Sequence, residues 1–296
     1  MRVGLVGAGQ WALITHAPAL AVHPGVDLVG VWARDPAAAA QVGAPVFDTF
    51  GDLVEASDAV AFAVPPAVQA ELALFAVARG RHVILEKPVA GSVADGLALE
   101  RLARERGVRS IVFLTRRFAP ETREFLGAAA GREWASADAE WLSGALLGGP
   151  FAASPWRQRG GALVDVGPHV LDLLIEVLGP VTDVLCARRD AMSDATKVML
   201  EHAGQRFSTA TLSMRTPVLP SRLRVCAQGP SGVVELASRE TPALECYHAM
   251  LDEFLDRSAS TGGAAGSLRR GVEVLEVVAR IERAMRVEQL ARESLR

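Results

Sequence analysis

Three side chains in this sequence have the types and the setting for proton chemistry. Asp165 and His169 stand four residues apart in Gly160-Gly161-Ala162-Leu163-Val164-Asp165-Val166-Gly167-Pro168-His169. The apolar residues Val170-Leu171 and Leu173-Leu174-Ile175 follow, and Gly179-Pro180 ends the run. The stretch reads as one helix entered from a glycine turn, on which positions i and i+4 share a face. A neutral imidazole beside a carboxylate can take and return a proton near neutral pH. The competing reading is a buried helix with one solvent-facing Asp/His pair. The third residue is Lys87, in Glu86-Lys87-Pro88 after the apolar run His82–Leu85. It is one of only two lysines, the other being Lys197, and arginine supplies the rest of the 31 basic residues. Arginine cannot replace lysine as a titrating acid or base, so the survival of Lys87 at a strand end is informative. A surface lysine paired with Glu86 is the bland alternative.

These groups need a scaffold, and the N-terminus supplies one. Arg2–Val6 is apolar like a buried parallel strand and runs into Gly7-Ala8-Gly9-Gln10-Trp11-Ala12, then a helical stretch to about Leu20. Strand, glycine turn and helix in that order make a dinucleotide site. Gly7 permits the tight turn, Gly9 lets backbone approach a pyrophosphate, and Ala12 replaces the third glycine. Gln10 and Trp11 open the helix against the same ligand. A second strand, about Val26–Trp32, ends in Ala33-Arg34-Asp35. An acid at the deciding position reads the 2′-hydroxyl of NAD, whereas arginine suits the 2′-phosphate of NADP. Ala33 with Arg34 beside it favours NADP, with NAD as the alternative. In the competing reading Arg34 is a surface arginine and Asp35 caps the next helix. A third strand, Ala59–Val64, ends in Pro65-Pro66, and a helix spans Val68–Ala78. Ligands in open α/β sheets bind at the carboxyl ends of strands, where Pro65, Glu86 and Lys87 all stand. A helix at Leu97–Arg106 and a strand at Ser110–Leu114 complete the β/α alternation.

The texture changes near Phe118. Alternating runs at Ala135–Trp141, Val181–Ala187, Lys197–His202, Phe207–Met214, Leu223–Ala227 and Val233–Ala237 predict a mostly antiparallel sheet. Helices are predicted at Pro242–Arg257 and Leu268–Met285, joined by a flexible link at Ser260–Gly266. The reading is therefore an α/β chain with two domains. Residues 1–118 form a dinucleotide-binding domain. Residues 119–296 form an α+β domain with an open sheet for substrate and oligomerisation.

Composition narrows the function classes. The 296 residues are half apolar and carry a net charge of −3 without a basic block, which predicts neither nucleic acid nor a membrane as partner. No signal-peptide pattern or membrane-length apolar run is present, so a soluble cytoplasmic protein is expected. Three widely spaced cysteines, Cys186, Cys226 and Cys246, argue against a disulfide framework or a zinc cluster. His16, His23, His82, His202 and His248 lack metal-like spacing and read as capping, packing or surface residues, with His16 the one to watch. A short-chain dehydrogenase would need Tyr four residues before Lys, where Val83 and Ser193 stand. Motifs of zinc peptidases, phosphate-loop enzymes and serine hydrolases are absent.

Taken together, Gly7-Ala8-Gly9, Pro65-Pro66, Glu86-Lys87-Pro88, Arg117-Phe118-x-Pro120, Trp156-Arg157 and Gly160-Gly161 through Asp165-x-Gly167-x-His169 resemble, in order, the glucose–fructose oxidoreductase/inositol dehydrogenase/rhizopine-catabolism (Gfo/Idh/MocA) family. The resemblance covers about the first 180 residues, and the remainder matches in texture. It implies a Rossmann domain followed by an open-sheet domain whose free face mediates homodimers or homotetramers. It also implies hydride transfer between nicotinamide and a carbinol or carbonyl carbon of a sugar, polyol or related small molecule. On this resemblance Lys87 polarises the reacting oxygen, His169 exchanges the proton, Asp165 positions substrate, and Trp156 and Arg157 contact the cofactor or close the site. Gln69 departs from the family, which often has histidine three residues after the proline pair. With one tyrosine and no asparagine the polar lining of a sugar pocket is thin, which leaves a smaller carbonyl compound open. Two alternatives share the fold. One is a glycoside hydrolase that oxidises and re-reduces its substrate on a retained NAD, and the other is a dinucleotide-binding regulator without chemistry.

Overall fold

In the computed structural model, which describes residues 1–149, 152, 154–190, 192–237, 240–256 and 266–294, the apolar run Arg2–Val6 forms β1. A helix follows whose Ala12–His16 segment is π-wound before α1 (Ala17–Val22). Then come β2 (Asp27–Trp32), α2 (Pro36–Ala40), α3 (Phe50–Ala56), β3 (Ala59–Phe62), α4 (Pro66–Ala78), β4 (His82–Glu86), α5 (Val93–Arg106) and β5 (Ser110–Phe113). The strands form one parallel sheet in the order β2-β1-β3-β4-β5. All four residues of β3 are buried, as expected of a parallel strand between helical layers. Side chains set the helix ends. Thr49 and Ser92 each accept the backbone N–H three residues on, at 3.1 Å, and Gly107 ends α5 with φ +62°. Because β2 and β3 flank β1 on opposite sides, the sheet reverses its winding between β1 and β3. Open α/β sheets bind ligands at such a switch point.

The second sheet is built from α6 (Pro120–Ala129), β6 (Ser136–Leu142), α7 (Pro155–Asp165), α8 (Gly167–Leu178), β7 (Val181–Arg189), β8 (Thr196–His202), β9 (Arg206–Ser213), β10 (Arg222–Gly229) and β11 (Gly232–Leu236). Its order is β11-β10-β6-β9-β8-β7, antiparallel except for β6 beside β9. The mostly antiparallel sheet read from the alternating runs is thus borne out. Alternation along β9 buries Ser208, Ala210 and Leu212 and leaves Phe207 exposed. α8 packs on β6, β9 and β10 and is buried along nearly its whole length. Leu185, Phe207 and Val233 are exposed large apolar residues of this sheet.

The chain divides into two compact units: Met1–Phe118 with Pro242–Leu275, and Ala119–Thr241 with the residues from Glu276 on. The stretch Pro242–Leu275, read from sequence as part of the second domain, therefore packs with the first. Its helix α9 (Ala243–Leu255) buries Cys246, Tyr247, Met250, Leu251 and Phe254. It lies against the 3-10 turn Thr115–Phe118, the π-wound segment and β5. Helical periodicity marks that stripe but carries no information about what it covers. α10 (Leu268–Glu293) follows, with Leu268, Val272 and Leu275 in the core of the first unit. The link read at Ser260–Gly266 lies outside the described residues except for Gly266, whose carbonyl accepts from Val112 N–H at 2.6 Å. Among the described residues no helix is long and apolar enough to cross a membrane. None of them groups three or more His, Cys, Asp or Glu so as to hold a metal ion.

Candidate functional site

Gly7 ends β1 with φ +108°, donating its N–H to the Trp32 carbonyl at 2.9 Å. A Cβ there would lie 2.4 Å from the Ala63 carbonyl oxygen, so the turn requires glycine. Gly9 is the opposite case. It is exposed, and a Cβ built on it would meet nothing within 4 Å. That open backbone at the start of a helix fits a pyrophosphate, whose charge the helix N-terminus favours. Gln10 is exposed beside it. Of the cofactor-deciding residues, Ala33 is half-buried and Arg34 is exposed. Asp35 caps α2, accepting Ala37 N–H at 2.9 Å, which bears out the capping reading of that residue.

Pro65 caps α4, and that helix brings the buried Gln69 to the loop carrying Lys87. Gln69 Oε1 accepts Glu86 N–H at 2.9 Å. Its Nε2 donates to the carbonyls of Glu86 (2.8 Å), Val89 (3.0 Å) and Pro88 (3.3 Å). One amide thus satisfies the backbone on both sides of Lys87, which is half-buried and joined to Pro88 by a cis peptide. The Glu86 side chain turns inward. Its Oε1 accepts from Trp11 Nε1 at 2.6 Å and lies 2.9 Å from His16 Nε2. Trp11, read as a cofactor contact, is therefore tied to the strand end that carries Lys87.

In the second unit the structure corrects the single helix expected around Asp165 and His169. Gly161 (φ +60°, ψ −156°) breaks α7 and the chain re-enters the helix at Ala162, so the glycine turn is real. The helix then stops at Asp165, and α8 begins at Gly167 across Val166. Pro168 is the cause, since it has no N–H for the helical ladder and restricts Gly167 before it. His169 N–H instead bonds the Val166 carbonyl at 3.2 Å. The i, i+4 argument for a shared helical face therefore does not apply. Each residue has its own support. Asp165 Oδ2 accepts from Arg157 Nε at 3.0 Å, with both side chains largely buried, and the Arg157 guanidinium lies 4.7 Å from the centroid of the Trp156 ring. The His169 ring stacks on Trp141 of β6, with centroids 5.4 Å apart and planes 21° apart. His169 is 7% exposed, so its imidazole sits at the edge of the core. Lys87 belongs to the first unit and Asp165 and His169 to the second.

Sequence reasoning missed Asp194. Fully buried and left-handed (φ +57°), it pairs with Arg189 through Oδ1, while Oδ2 accepts Ala162 N–H at 2.9 Å. It thereby caps the helix that restarts after Gly161 and leads to Asp165. Its neighbours Ser193 and Ala195 carry no motif, so no local signal marks it. His23, His82 and His202 behave as packing and capping groups. His23 accepts Gly25 N–H, His82 accepts Arg109 N–H, and His202 lies between the Gly179 carbonyl and Ser208 Oγ. Burial lowers the pKa of His202 below its ordinary 6.5, with Arg206 adding to the shift and the Gly179 carbonyl opposing it.

The chain is similar to known proteins along most of its length. Residues 1–114 match the model of the oxidoreductase family with an NAD-binding Rossmann fold, and residues 136–233 match the GFO/IDH/MocA C-terminal domain. An uncharacterised oxidoreductase of Synechocystis is 31% identical over 61% of this chain and 52% of its own length. The dTDP-3,4-didehydro-2,6-dideoxy-alpha-D-glucose 3-reductase of Streptomyces violaceoruber is 31% identical over 60% of this chain and 55% of its own. The chain thus spans about half the length of these curated relatives. The crystal structure of GenD2 from gentamicin A biosynthesis, in complex with NAD, superposes with a TM-score of 0.84 at 23% identity, covering 96% of this chain and 93% of that one. With both domain models matched in order, the chain belongs to the Gfo/Idh/MocA oxidoreductase family.

Proposed function

We propose that this protein is an NAD(P)-dependent oxidoreductase acting on a carbinol or carbonyl carbon of a sugar, polyol or related small molecule. The observation that carries the reading is the Gly7–Gly9 turn, open at Gly9, in the same parallel sheet as a lysine held at the end of β4 by Gln69. The sugar-reductase and NAD-complex relatives support the same chemistry. Gly7, Gly9, Gln10 and Trp11 would hold the pyrophosphate, Ala33 and Arg34 the adenosine ribose, and Pro65, Glu86, Trp156 and Arg157 the remaining cofactor contacts. The exposed Arg34, beside an Asp35 already engaged in capping, supports NADP over NAD. When bound, the nicotinamide supplies or accepts the hydride.

The chain's own groups manage the proton and the oxygen. The Lys87 ammonium donates to the substrate oxygen and stabilises negative charge developing on it. The His169 imidazole gives a proton to that oxygen in reduction and takes it back in oxidation. Asp165, fixed by Arg157, orients the substrate. The exposed apolar residues of the second sheet support a homodimer or homotetramer through that face.

A screen of sugars, sugar nucleotides, polyols and simpler carbonyl compounds with both reduced and both oxidised nucleotides tests the proposal. Lys87→Ala and His169→Ala are each expected to lower turnover by about 10²–10⁴-fold. Full turnover in both variants would refute the assignment.

A further inference from the structure

The Glu86 carboxylate, which accepts from Trp11, is also in contact with His16, and His16 with Tyr247 of α9. His16 is fully buried, and its ring sits 4.6 Å, centroid to centroid, from that of Tyr247 on α9. Tyr247 Oη lies 2.9 Å from His16 Nδ1, and His16 Nε2 lies 2.9 Å from Glu86 Oε1. The direction of this chain follows from chemistry. Burial, aided by the Glu86 charge, raises the Tyr247 pKa well above 10, so the phenol keeps its proton. A buried O–H needs an acceptor, and His16 Nδ1 is the partner at hydrogen-bond distance. The arrangement that satisfies the phenol has Tyr247 donating to Nδ1 and Nε2–H donating to Glu86. Trp11 Nε1–H donates to the same oxygen at 2.6 Å.

We propose that Tyr247 and His16 are positioning residues for the nucleotide, acting through Glu86. The relay Tyr247 to His16 to Glu86 fixes the carboxylate that clamps Trp11, and so the Gly7–Ala12 turn, to the strand end bearing Lys87. The inference rests on the nucleotide-binding reading above. It assigns a role to α9, whose Tyr247 is the sole tyrosine of the chain.

The sole tyrosine also makes the test direct. The Raman Fermi doublet of Tyr247 is expected to show a hydrogen-bond donor in the wild type and to lose that signature in His16→Phe. Tyr247→Phe keeps the ring packing and removes only the donor. It is expected to weaken NADH and NADPH binding about five-fold by fluorescence titration, matching a lost hydrogen bond. A purely structural role would lower the melting temperature and leave the dissociation constant of the folded protein unchanged. Phe254→Leu, which trims α9 packing away from the relay, serves as the control and is expected to retain wild-type affinity. An acceptor or non-bonded signature for Tyr247 overturns the relay whatever the nucleotide does. Unchanged affinity in Tyr247→Phe overturns the positioning role and leaves the oxidoreductase reading standing. A wild type that binds neither nucleotide overturns both.

Discussion

Gln69 and Glu86 hold each other reciprocally, with the Gln69 Oε1 accepting Glu86 N–H at 2.9 Å and the Gln69 Nε2 donating to the Glu86 carbonyl at 2.8 Å. The same Nε2 reaches the carbonyls of Pro88 and Val89. Gln69 is wholly buried, so these backbone groups are out of reach of bulk solvent. Gln69→Ala would strand a buried N–H and several carbonyls. It is expected to cost about 2–4 kcal/mol in urea unfolding and to lower turnover together with stability, since Lys87 rides on that backbone. Wild-type stability in Gln69→Ala would show that the clamp is dispensable.

The Arg157–Asp165 pair is buried on both sides, with side-chain exposures of 16% and 9%. Removing one partner from such a pair costs up to about 3–5 kcal/mol. Arg157→Ala is expected near the low end because its site keeps some solvent. Adding Asp165→Asn to it should recover part of the loss, and a double-mutant cycle measures the coupling. Additive effects would show that the two side chains do not sense each other.

Gly161→Ala should be costly for two independent reasons. The backbone holds φ +60°, and a Cβ would lie 2.2 Å from both Arg189 Nη2 and Asp194 Oδ1. A loss of about 2 kcal/mol or more is expected by thermal unfolding. Gly127→Ala, on α6 with open space around the new Cβ, is expected to gain about 0.5–1 kcal/mol instead. Equal effects of the two would contradict the kink assignment.

Burial of His202 gives the stability a pH dependence of definite sign. Its folded pKa lies below the unfolded 6.5, so the unfolded chain binds the extra proton first. Its contribution is complete above 6.5 and falls away as pH drops from there towards the lowered folded value. His202→Gln should flatten this segment of the stability–pH curve. An unchanged slope would place the titration elsewhere.

Much of this was legible before any coordinates. The strand–glycine–helix start, the end of β4 at Glu86 and the alternating runs after Phe118 are local patterns, and the structure has them in place, while β3 stops at Phe62, short of Pro65. Three features resisted. Pro168 splits the Asp165–His169 helix, a case of one local rule overriding the apolar periodicity around it. α9 shows its buried stripe in sequence but not its target, because packing partners are set by tertiary structure. Asp194 and Gln69 act on backbone groups distant in sequence, and such bonds leave no spacing to read. In sequence Gln69 stands out only as a departure from the family, and its clamp explains what a side chain at that position does here.

Binding of a nicotinamide dinucleotide, with its pyrophosphate on the Gly7–Ala12 turn, is measured by fluorescence titration of the purified, folded protein with NADPH and separately with NADH. Saturable binding of both is expected, tighter for NADPH, with Arg34→Ala removing the preference and Gly9→Asp abolishing binding. A preference for NADH would remove Arg34 as the phosphate reader. Binding of neither nucleotide, in folded protein free of carried-over cofactor, would contradict the oxidoreductase assignment.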